Sequence, residues 1–115
     1  DGDGADLIVF ENGFTGWQEP AVVSASVDGV NWVEWPCSYD DVAQVYVGCA
    51  GLSPVLSHPN NCIDARDASV AGGDAFDLAD IGMTSARYVR VTDAGVSGPG
   101  GFDLDAVVRI YTEPQ

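Results

Sequence analysis

Lysine is absent from this 115-residue chain, and its four cations are all arginines: Arg66, Arg87, Arg90 and Arg109. Against them stand 18 carboxylates, giving a formal net charge of −14. Such a surface repels phosphate backbones and anionic headgroups, so nucleic-acid binding is excluded. Long apolar runs are also missing. None approaches the roughly 20 residues that cross a bilayer as a helix, and no membrane insertion is expected. No basic segment followed by an apolar one opens the chain, which starts at Asp1 as a processed or excised domain would. Helical periodicity is scarce as well, since no extended window carries a 3.6-residue apolar stripe.

What remains is 46% hydrophobic and 19% charged, the balance of a globular chain. The length suits a single domain over residues 1–115. Strand signals recur. Asp6 to Glu11 is a short β run closed by Asn12-Gly13, and Ala21 to Val27 alternates until Asp28-Gly29 marks a turn. The alternation sets Val23, Ala25 and Val27 on one face and Val22, Ser24 and Ser26 on the other. Trp32 to Trp35 resumes as a strand, with Trp32 packed under its hairpin. Arg87 to Thr92 alternates again, and a last strand runs from Leu104 to Tyr111. Between Cys37 and Asp80 the pattern breaks into loop, with a short strand expected at Gln44–Val47 and a helical turn at Ala75–Ala79. Several short antiparallel strands separated by turns define an all-β sandwich or jelly roll.

Three cysteines, many aspartates and the missing lysine read as extracellular. Close carboxylates repel unless a cation neutralises them, and outside a cell calcium is the natural candidate, being hard and oxygen-seeking. Cys37 and Cys49 bracket a short segment that a disulfide can close, which leaves Cys62 odd. The competing reading is a zinc site from Cys37, Cys49, His58 and Cys62, whose spacings match no common module.

Ser24 to Trp32, with its Ser26-Val27-Asp28-Gly29-Val30-Asn31-Trp32 hairpin, is followed by Ala86-Arg87-Tyr88-Val89-Arg90-Val91 and by Phe102 to Ile110. Together these resemble discoidin-like, galactose-binding-like β-sandwich domains. Val9-Phe10-Glu11-Asn12, Gly73 to Leu78 and Gly101 to Val107 look like a bacterial cell-surface branch of that fold. The chain enters the pattern at its first strand, without the strand that the relatives place before it. The resemblance implies a structural calcium beside the acidic start of the last strand, and ligand binding at one rim of loops.

The candidate calcium ligands are Glu11 and Asn12 at the end of the first strand, Asp74, Asp77 and Asp80, and Asp103 and Asp105. Asp74, Asp77 and Asp80 recur every third residue, a spacing that stacks them on one helical turn. Asp103 and Asp105 leave one face of a strand while Leu104 enters the core. Trp17, Trp35 and Tyr39, with Tyr46, are the candidate sugar platform. Asp1-Gly2-Asp3-Gly4-Ala5-Asp6 fails as an EF-hand, with Asp6 where Gly is required and Asn12 where Glu is required. Gly95-Val96-Ser97-Gly98-Pro99 fails as a nucleophile elbow at Pro99, and the lone His58 has no evident orienting partner. A non-enzymatic, secreted binding module is expected, for adhesion or carbohydrate, with calcium. The alternative is a structural subunit of a filament or surface layer, self-associating by strand addition and calcium bridging.

Overall fold

The structure is a computed structural model and describes residues 1–11, 19–38, 46–95 and 102–111. Six strands are present among them: β1 (Leu7–Glu11), β2 (Ala21–Ser26), β3 (Val33–Glu34), β4 (Asp74–Phe76), β5 (Tyr88–Asp93) and β6 (Leu104–Arg109). They form two antiparallel three-stranded sheets, ordered β4-β1-β6 and β3-β2-β5, packed against each other as a sandwich. No helix among the described residues is long and apolar enough to cross a membrane.

β1 is buried along its whole length because it is covered on both faces. Leu7 and Val9 point between the sheets, into a core with Val23, Ala25, Trp35 and Phe76. Ile8 and Phe10 point the other way, onto Ala71, with Val55, Ala65 and Val108 around them. The second cover comes from the segment between Pro54 and Gly73. It is fixed by a bridge between Val55 and Gly72 and by Leu56 N–H donating to the Ala71 carbonyl at 2.8 Å. A strand enclosed on both faces carries a continuous apolar run rather than an alternating one, as Leu7-Ile8-Val9-Phe10 does.

The hairpin after β2 is held by side chains. Buried Ser26 Oγ accepts from the amides of Asp28 (3.3 Å) and Gly29 (2.8 Å). Asp28 Oδ1 accepts from Val30 N–H and Asn31 N–H, each at 2.8 Å, and Oδ2 from Asn31 Nδ2. These bonds hold the Asp28 carboxyl well below the usual carboxylate range. The Ser-x-Asp-Gly pattern is thus explained by turn chemistry.

Four expectations are corrected. The helical turn at Ala75–Ala79 is displaced: residues 74–76 are β4, and a 3₁₀ turn over Leu78–Ile81 follows, with Asp77 as its N-cap. Tyr46 and Val47 lie in a turn rather than a strand, while Gln44 falls outside the described residues. Leu104 does not enter the core; it is 49% exposed. The β1–β6 register shifts there, with Phe10 opposite Ala106 and Glu11 opposite Leu104, so Asp105 is the extra residue of a bulge. The two tryptophans exchange places: Trp35 is the core residue, and Trp32 is half-buried on the outer face beneath the Arg90 guanidinium, 4.3 Å from its ring.

Among the described residues, the sandwich is closed on one side and open on the other. At the β3/β4 side Trp35 meets Phe76 edge to face, with ring centroids 5.3 Å apart. At the β5/β6 side, Val89 is paired with Ala25 and Val107 with Val9, so both face the inter-sheet core. Yet they stay 38% and 39% exposed. Both outer strands therefore leave inward-facing apolar surface in water.

Candidate functional site

β1 carries a buried acid at each end. Just before it, Asp6 is 5% exposed, and its Oδ2 accepts from Leu78 N–H at 2.9 Å. Its Oδ1 accepts from Gly2 N–H at 2.7 Å and lies 3.8 Å from the Asp1 ammonium. Asp77, at the head of the 3₁₀ turn, accepts from Ala79 N–H through Oδ1. One carboxylate oxygen from each of Asp1, Asp6 and Asp77 lies within 4.8 Å of the others. These hard oxygens at that spacing can take a divalent cation.

At the far end Glu11 is 4% exposed, hydrogen-bonded to the Glu19 carboxyl and reached by the Asp103 backbone N–H. Burial first, then the Glu19 bond and charge, push its pKa up to about 7. The Asp103 carboxylate adds to the local negative field.

The sequence-derived ligand set is therefore divided. Glu11 and Asp103 come together, joined by Glu19, while Asp77 joins Asp6 and Asp1 at the other end of β1. Asp74, Asp77 and Asp80 do not stack on one helical turn, because Asp74 belongs to a strand. Asp74 Oδ2 is a loop clamp, accepting from the amides of Gly51 (2.8 Å), Leu52 (2.9 Å) and Ser53 (3.4 Å). Burial raises its pKa, while those amides pull the other way. The clamp needs Gly51 in its left-handed conformation (φ 88°), where a Cβ would collide with the Glu19 carbonyl. Asp80 and Asp105 are exposed, and Asn12 lies outside the described residues. Asp1, Asp6 and Glu19 lie outside the sequence-derived set; an acid directly flanking a wholly apolar strand is the available signal for Asp6.

Of the aromatic candidates, Trp35 is not a rim residue: it is 4% exposed, and its Nε1 donates to the Asp77 carbonyl at 2.9 Å. Trp17 and Tyr39 lie outside the described residues. Cys37 and Cys49 form the expected disulfide, which removes both from any zinc set, and Cys62 is an exposed free thiol.

An open hollow of about 400 Å³ lies elsewhere, bordered by the segment before β1, the 64–69 stretch and Ile110-Tyr111 after β6, with Asp3, Asp64, Arg66, Asp67, Ala68 and Tyr111 on its walls. Comparisons with family models, with curated proteins and with solved structures each found no match for the chain.

Proposed function

We propose that this is an extracellular, non-catalytic binding module of the cell surface, a jelly-roll relative of discoidin-like domains that is stabilised by calcium and recognises carbohydrate. The observation that carries the cation is the Asp1–Asp6–Asp77 cluster, with ligand oxygens within 4.8 Å of one another on a chain of net charge −14. Glu11 and Glu19 offer a second oxygen pair, in which a cation would replace the proton that burial retains. The Cys37–Cys49 disulfide fits an oxidising compartment. Calorimetric titration with calcium tests the reading. Binding by the wild type, weakened in Asp77→Asn (whose amide oxygen keeps the cap), supports it; no heat in either protein overturns it.

A second reading is favoured by the open β5/β6 side. There Val89 and Val107 leave core-facing surface exposed on two edge strands, where an added strand from another copy would cover it. At −14 identical chains repel, so calcium bridging between them is part of this reading. Native mass in calcium and in chelator separates the two: calcium-dependent oligomers favour the assembling subunit, and a monomer in both favours the binding module.

A further inference from the structure

The 400 Å³ hollow has the composition of a site for a neutral sugar. Its volume is within the range of roughly 300–1,000 Å³ typical of small-molecule sites. Tyr111 is 45% exposed and fixed in place: its ring rests against Gly2, where a Cβ would collide with Cγ and Cδ2, and its hydroxyl donates to the Asp3 carbonyl at 2.7 Å. A pre-set aromatic ring is a platform for the C–H face of a pyranose, costing little conformational entropy on binding.

The polar walls are also held in place. Asp64 Oδ1 accepts from Arg66 N–H at 2.9 Å and pairs with the Arg66 guanidinium at 3.4 Å. Asp67 Oδ1 accepts from Ser69 N–H at 3.0 Å and from Ser69 Oγ. Asp67 Oδ2 and the Asp3 carboxylate have no partner among the described residues. Acceptors of this kind beside a guanidinium donor match adjacent hydroxyls, each of which donates and accepts.

Two observations narrow the ligand class. Among the described residues the one set of three carboxylates converging within 4.8 Å is Asp1, Asp6 and Asp77; the acids of the hollow are spread around it rather than aimed at one ion. Three carboxylates against one arginine leave the walls net negative, which disfavours uronic acids, sialic acids and phosphates.

We infer that this hollow binds a neutral hexopyranose, its C–H face on Tyr111 and its hydroxyls on Asp67, Asp3 and Arg66. The inference rests on the carbohydrate-binding reading above and assigns it a place. It is tested by amide chemical-shift titration of the whole chain with D-glucose, D-galactose and D-mannose, and with D-glucuronate and calcium as separate arms.

The expected result is saturable shifts at residues 3–5, 64–69 and 110–111 with at least one neutral hexose. Asp67→Asn, whose amide oxygen can still cap Ser69, should weaken binding about tenfold. Ala68→Trp, on an exposed wall residue, should abolish binding by filling the hollow, while thermal melting shows both variants folded. Hexose shifts elsewhere that both variants leave unchanged would overturn the site and spare the carbohydrate reading. No shift with any neutral hexose at tens of millimolar would overturn both. Equal response to glucuronate, or the same residues answering calcium instead, would overturn the assigned ligand class.

Discussion

Glu11 meets burial and a second carboxyl acting in the same direction, so it holds its proton to about pH 7 in the folded chain, against 4.5 for the ordinary group. Because the folded pKa is the higher, this acid's contribution to stability is fully present below about pH 4.5 and is lost as pH rises through 7. Glu11→Gln, which keeps a hydrogen bond to Glu19, should therefore raise stability in chelator near about pH 8 and change it little near about pH 4.5, read by urea unfolding. Calcium binding at Glu11 would release that proton, so the affinity should climb over the same window. Asp74 shows the opposite use of a carboxylate. Removing it in Asp74→Ala leaves the amides of Gly51, Leu52 and Ser53 without their acceptor and should cost about 2 kcal/mol of unfolding free energy. Glu11 and Asp103 could be picked out from the chain itself as acids at strand ends, although not as neighbours, because the pairing of β1 with β6 has no local signal. Asp74 as a clamp could not, since an aspartate reads the same whether it meets a metal or three amides. Glu19 joins Glu11 across the fold, a proximity with no local sequence signature.

Strands show in the sequence where one face meets water. Alternation located β2 and β5 to within a residue or two, and the Asp-Gly turn located the hairpin between β2 and β3. Ser26→Ala should cost about 1–2 kcal/mol, because it strips the buried oxygen from the amides of Asp28 and Gly29. The measurement is the urea midpoint with the slope unchanged. Trp32 and Trp35 are three residues apart on either side of a two-residue strand, so local pattern did not decide which goes inside. Tertiary pairing did: Trp35 N–H donates to the Val23 carbonyl at 2.9 Å, which carries its ring onto Phe76. The aspartates at 74, 77 and 80 had a helical spacing, but the pairing of Asp74 to Phe76 with β1 overrode it. Opening the Cys37–Cys49 bond by a paired Cys→Ser change should lower stability by roughly 3 kcal/mol, since the bond closes a 12-residue separation in the unfolded chain.

For the molecule as a whole, the excess of carboxylates opposes both compaction and the approach of identical chains. At −14 the compact state works against its own charge, and a cation that binds only the folded chain offsets that repulsion by mass action. The buried acids at the two ends of β1 lie against the strand that both clusters of the core share, so cation binding there would be coupled to global unfolding rather than to a loop. Scanning calorimetry of the unmodified chain near neutral pH, in calcium and in chelator, tests this most directly. The account predicts that calcium at a hundredfold excess over its Kd raises the melting temperature by about ten degrees. The same melting temperature in calcium and in chelator would contradict it.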